Sequence, residues 1–234
     1  MTQYDQNRPF HSVPHGILAL VILIGAVELL FTLGEMRPGL APGAESWRLH
    51  AIIYHGILVD QAQIDLARES SFMESMSRML TYPFIGWNFA NSLISVVFLL
   101  AVGKYASSFI GQVRVLVIFT TATLLGAVGY LALDSGEVPL IGPSPGIFGL
   151  FGSLLALAVL PLKIPDALRS NLYRLPLIMV ALQVGFGIFL DGNILWIPIL
   201  VGFIVGFFAT IFLSLGLRDG IHYLIGLVGG SRRN

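Results

Sequence analysis

Three groups of residues in this chain could handle a proton or an oxyanion inside a bilayer. Ser144 sits between Pro143 and Pro145, flanked by Gly142 and Gly146, at the mouth of an apolar run. Asn88, Asn91 and Ser95 recur at offsets of three and four in a second apolar stretch, so on a helix they share one face. Glu28 stands alone in a third. The cluster around Ser144 predicts a sharp turn followed by a helix: Ser is a favoured N-cap, Pro145 suits the first helical position, and the glycines let backbones approach closely. The hydroxyl then has two readings. In one it only caps a membrane helix. In the other it is, or descends from, a nucleophile held at a helix N-terminus, where free backbone N–H groups stabilise an oxyanion.

The elements that would position these residues follow from composition and hydropathy. Hydrophobic residues make up 56% of the 234 and charged residues 11%, and mean hydropathy is +0.84. A soluble domain of this size does not tolerate such a surface, so the chain is read as an integral membrane protein. The absence of cysteine excludes disulfides, thiolate metal sites and a cysteine nucleophile. Lys+Arg and Asp+Glu both number 13, which leaves no basic surplus for nucleic acid. Nothing in the sequence calls for a metal or cofactor.

Six apolar spans are predicted, at 15–34, 82–102, 115–133, 145–162, 173–190 and 194–215. The first is too long for a typical signal-peptide core and reads as an uncleaved anchor. Glu28 within it is expected to face the bundle and bond to a neighbouring helix. Residues 35–81 are different: charges including Arg37, Glu45, Arg48, Asp60, Asp65, Arg68 and Glu74 alternate with Trp47, Leu49, Ile52, Ile53, Ile57 and Leu58 at near-helical spacing. Short amphipathic helices at the membrane interface are expected there, with Trp47 and Tyr54 at headgroup depth. No second domain or repeat is present, so 1–234 is read as one membrane domain.

Basic residues set the orientation, because cytoplasmic loops are richer in Lys and Arg. With the N-terminus inside, the inner side receives Arg8, Lys104, Arg114, Lys163, Arg169, Arg174, Arg218, Arg232 and Arg233. The outer side receives only Arg37, Arg48, Arg68 and Arg78, all in the long loop. Both termini are therefore expected in the cytoplasm, and Ser144 at the outer end of the fourth span. The compact form points to a bacterial inner membrane. The asparagine–serine stripe is expected to face the bundle interior, and the Gly202-Phe-Ile-Val-Gly206 pattern to admit a closely packed helix.

This order of parts resembles the rhomboids, a family of six-span intramembrane serine proteases. The resemblance runs from the first span to about residue 215, and it implies an all-α, six-transmembrane-helix bundle with a long amphipathic first outer loop. It matches the family's glycine-x-serine motif to Gly142-Pro143-Ser144, followed by Phe148-Gly149-Leu150, and Trp47-Arg48 is similar to a dipeptide of the family's first loop. The family's second helix carries a histidine and, four residues on, an asparagine that hold the oxyanion; Asn91 and Ser95 fall at those places. Its last helix carries an alanine–histidine pair before the glycine pattern, the histidine being the base. The register of Gly202 and Gly206 puts Pro198 and Ile199 there.

That departure bears directly on the chemistry. A serine hydroxyl is a weak nucleophile near neutral pH without a base to take its proton, and Ile199 cannot take one. Pro145 replaces the glycine that usually follows the serine, which stiffens the turn and removes a backbone donor. Of the five histidines, only His50 and His55 share the outer side with Ser144. The leading expectation is a pseudoprotease, a catalytically impaired rhomboid whose cavity, lined by Asn88, Asn91, Ser95, Ile199 and Ser144, binds transmembrane helices of client proteins. The alternative is an active intramembrane serine endopeptidase with Ser144 as nucleophile, Asn91 as oxyanion donor and a non-standard base such as His55. A solute carrier or channel is supported least: no inverted repeat is visible, and only Glu28 is charged at membrane depth.

Overall fold

The computed structural model describes residues 14–37, 39–58, 72–132, 138–160, 165–191 and 195–215. Asp60, Asp65, Arg68, His11, His222, Arg8, Lys163, Arg218, Arg232 and Arg233, singled out from sequence, lie outside the described residues. The described residues form an all-helical bundle. Helix α1 spans His15–Met36, and a 3₁₀ turn, Ala44–Ser46, leads into α2, Trp47–His55. Helix α3, Phe72–Thr81, runs into a 3₁₀ turn at Tyr82–Phe84. Then come α4 (Phe89–Ile110), α5 (Gln112–Leu131), α6 (Ser144–Val159), α7 (Asp166–Phe186) with a π-helical turn at Gly187–Asp191, and α8 (Trp196–Leu215).

Five of these helices are long and apolar enough to cross a membrane, and α6 is a shorter apolar helix. At 1.5 Å per residue its 16 residues cover only about 24 Å, less than a hydrocarbon core of ~30 Å. It can be short because protein rather than lipid surrounds it. Almost every side chain from Pro145 to Ala158 is buried, and α4, α5, α7 and α8 all pack against it. Non-helical backbone at its ends therefore lies within protein, where such backbone is tolerated at membrane depth.

Glycines set the spacing at this centre. Gly146, Gly149 and Gly152 follow one another at intervals of three on α6, and Gly202 and Gly206 line the facing side of α8. A Cβ at Gly202 would run into the Pro145 backbone, one at Gly206 into Gly149, and one at Gly152 into Phe203 and Phe207. The two helices thus run parallel with their backbones in van der Waals contact, as the small-residue spacing in α8 predicts. At Gly146 the space is filled by Thr123 and Phe119 of α5. Helix α1, by contrast, is peripheral. Only Ile17, Ile24, Glu28 and Gly34 are buried along its length, and Ile17 fits the notch at Gly103 of α4.

Helix boundaries depart from the hydropathic spans where backbone chemistry overrides hydrophobicity. The second span was expected from residue 82, but α4 starts at Phe89, because Pro83 favours the 3₁₀ turn and Asn88 caps the helix. It then continues to Ile110, beyond the expected residue 102, and ends at Gly111 with φ +84°. Helix α7 begins at Asp166, before the expected residue 173, after Pro165. Two short helices, α2 and α3, fall in 35–81 as the amphipathic pattern predicts, with Tyr54 exposed and Trp47 half-buried.

Candidate functional site

The turn into α6 is held by three strands of backbone bonding. Leu140 and Ile57 exchange N–H···O bonds of 2.9 and 3.1 Å, so the segment after α2 runs antiparallel to the approach to Ser144. The Gly142 N–H donates to the Tyr82 carbonyl at 2.9 Å, with Gly142 at φ +90°, a conformation that favours glycine. The Ile147 N–H donates to the Pro143 carbonyl at 3.0 Å, so Pro143 is the N-cap, and Ser144 and Pro145 are the first helical residues. Ser144 is therefore not the side-chain cap of this helix, contrary to the first of its two readings. Its hydroxyl is half-buried, and among the described residues no group hydrogen-bonds it.

The polar stripe of α4 divides. Asn88 lies outside the helix as its N-cap, and its Oδ1 accepts from the Asn91 N–H at 2.9 Å. Asn88 and Asn91 are both exposed, whereas Ser92 and Ser95 are buried. The inward face is Ser92, Ser95, Leu99, Val102 and Ala106. The expectation that Asn88, Asn91 and Ser95 all face the interior is thus corrected. A helical period counted from Asn88 starts from a residue with extended backbone, φ −164° and ψ 170°, which lies outside the helix.

On α8, Ile199 is 5% exposed and Pro198 is buried. Because Gly202 packs on Pro145, Ile199, one turn earlier in the parallel pair, lies level with the turn that leads to Ser144. An aliphatic side chain fills this layer. Both outer-side histidines lie on α2: His55 Nδ1 is 3.1 Å from the Thr81 hydroxyl, and the exposed His50 packs against Tyr54 with ring centroids 6.4 Å apart.

The most connected polar group is one for which the sequence shows the parts but not the pairing. Arg48, at the start of α2, reaches α1 and the link that precedes α4. Its Nη1 donates to Glu28 Oε2 at 3.0 Å and to the Gly86 carbonyl at 2.9 Å. Its Nη2 donates to Glu28 Oε1 at 2.7 Å, and its Nε to Glu35 Oε1 at 2.6 Å. Glu28 also accepts from Ser92 Oγ at 2.6 Å and Thr32 Oγ1 at 3.1 Å. Glu28 and Arg48 are 5% and 7% exposed. The Glu28 hydrogen bonds, with help from Glu35, push the Arg48 guanidinium above its usual range, so it stays charged. Glu28 was expected to bond to a neighbouring helix; it does, through Ser92, but its main partner comes from the loop. The signal was available: an acid at membrane depth and an arginine among apolar loop residues.

A family model for the Rhomboid domain matches residues 73–216, from α3 through α8. The chain belongs to the rhomboid family. Comparison with curated proteins gives no match. The matched segment contains Ser144, Ile199 and the whole packed centre, whereas Glu28, Glu35 and Arg48 precede it.

Proposed function

We propose that this rhomboid-family membrane protein binds transmembrane helices of client proteins and has lost efficient proteolysis. The observation that carries the reading is the pairing of a Ser144 hydroxyl without a hydrogen bond among the described residues and a buried isoleucine at the layer where the family resemblance requires the base. Deprotonation has no acceptor there, and loss of a triad member leaves only trace turnover in soluble serine proteases. Helix binding needs no proton transfer. It depends on close packing and interhelical hydrogen bonds, for which exposed Asn88 and Asn91, beside exposed Trp87 and Phe89 at one end of α4, offer donors and apolar surface. In this reading Asn91 and Ser144 are contact residues, Ser95 and Ile199 line the wall behind them, and both termini lie in the cytoplasm of a bacterial inner membrane. Photocrosslinking from Trp87 or Asn91 in native membranes is expected to recover single-span proteins. A blank across several growth conditions contradicts it.

A second reading, an active endopeptidase with His55 as base, is favoured by one observation: the Ile57–Leu140 pairing brings the segment after His55 alongside the approach to Ser144. Against it, one ring nitrogen of His55 is already engaged by Thr81. Placing histidine at Ile199 and glycine at Pro145 together separates the two. Cleavage gained by that double variant supports descent from an enzyme with its base at this position. Ser144-dependent cleavage by the unaltered chain that is lost in His55→Ala supports the second reading.

A further inference from the structure

We infer that Tyr82 and Thr123 are positioning residues that form a bracket around Ser144, holding Gly142 on one side of the serine and Gly146 on the other so that its hydroxyl alone is presented. From Ile141 to Ile147 every residue is buried except Ser144. Before the serine, the Gly142 N–H donates to the Tyr82 carbonyl at 2.9 Å. After it, Gly146 lies so close to α5 that a Cβ there would meet Thr123 Oγ1 at 2.4 Å and the Phe119 ring at 2.6 Å. The bracket closes behind the turn, where the Tyr82 hydroxyl donates to the Thr123 carbonyl at 2.7 Å.

Each part of this arrangement is itself fixed. Tyr82 is 0% exposed and Thr123 4%, so water does not compete for their bonds. The Thr123 hydroxyl donates to the Phe119 carbonyl of its own helix at 2.7 Å, which sets the face that meets Gly146. Helix α5 in turn packs against both α6 and α8, so a rigid element of the centre controls both flanks of the serine. The control is needed because glycine gives the backbone its widest freedom, and glycines stand two residues before and two residues after Ser144. Gly142 uses that freedom, at φ +90°. Without the Tyr82 bond the approach to α6 could turn about this glycine and carry Ser144 away from the helix start. The bracket stands on these contacts; that it presents Ser144 to a client rests on the function proposed above.

The chain contains no cysteine, so Ser144→Cys supplies a single thiol whose alkylation by iodoacetamide can be timed in proteoliposomes. In that background Tyr82→Phe keeps the ring, removes only the hydroxyl, and is expected to raise the rate about threefold to tenfold, the factor that one neutral hydrogen bond is worth. Tyr130→Phe is the control. It also loses one hydroxyl bond, to the Val138 carbonyl, but the Leu140–Ile57 pair stands between that carbonyl and the turn, so the rate stays within about twofold. A general loss of stability would move both variants alike. Thr123→Ala, which empties the space beside Gly146, raises the rate as well and covers the case in which Tyr82→Phe fails to fold, whereas Thr123→Val keeps the bulk and the original rate. An unchanged rate in Tyr82→Phe or Thr123→Ala, equal rises in Tyr82→Phe and Tyr130→Phe, or a rise in Thr123→Val matching that in Thr123→Ala overturns the bracket. If the expected order holds while crosslinking from Asn91 finds no client, the bracket stands and the client reading falls; clients recovered alongside an unchanged rate remove the bracket alone.

Discussion

Two polar sites lie where the segment 44–58 meets the bundle, and they use their hydrogen-bonding capacity in opposite ways. Around Arg48 the nitrogens and both carboxylate oxygens of Glu28 are engaged at 2.6–3.1 Å by groups from three helices and the Gly86 carbonyl. At Ser144 a hydroxyl sits half-buried at a helix start with no bond among the described residues. Buried polar groups are normally satisfied, and a saturated cluster can bind nothing new without first being broken. The first site is therefore machinery of the fold, whereas the second keeps its hydrogen-bonding capacity unused among the described residues. Ionisable residues at membrane depth are read as functional by default. Here the charged pair holds α2 against α1, and in the proposed function the neutral hydroxyl marks the face for a partner.

Substitutions test the contrast in order of size. Arg48→Ala should cost most, about 3–5 kcal/mol in reversible unfolding from mild detergent, because it strands a buried carboxylate. A loss below 1 kcal/mol would place Arg48 outside the fold's support. Glu28→Gln keeps the volume and one acceptor oxygen, and its expected loss is about 1.5–3 kcal/mol. Glu35→Gln removes a partly exposed partner and should cost no more than about 1 kcal/mol in the same measurement; matching the Glu28 variant would erase the distinction between the buried and the partly exposed carboxylate. Ser144→Ala should change stability by less than about 0.5 kcal/mol, as for a side chain without bonds to lose. A loss of the size seen at Glu28 would mean that the hydroxyl is part of the scaffold after all.

The bundle was legible because hydropathy and small-residue spacing act through local rules. The apolar runs became helices, and Gly202 and Gly206 met a neighbouring backbone as their spacing implied. The start of α4 was misplaced because Pro83 and Asn88 act on backbone geometry, which hydropathy does not register. That error carried into the site: counting a helical face from a residue outside the helix turned Asn91 inward and overlooked Ser92. Ser144 was located correctly within its segment, but its capping role passed to Pro143, a difference of one residue that frees the hydroxyl. The Glu28–Arg48 pair joins residues 20 positions apart on different elements, and the periodicity of each element says nothing of its partner, so three-dimensional placement reveals the pairing.

The central claim is that the Ser144 hydroxyl has no base. Reaction of the purified, membrane-reconstituted protein with a serine-directed fluorophosphonate, with Ser144→Ala as control, tests it most directly. The account predicts equal background labelling of both proteins; labelling of the unaltered chain that disappears in Ser144→Ala would contradict it and return the protein to the active peptidases.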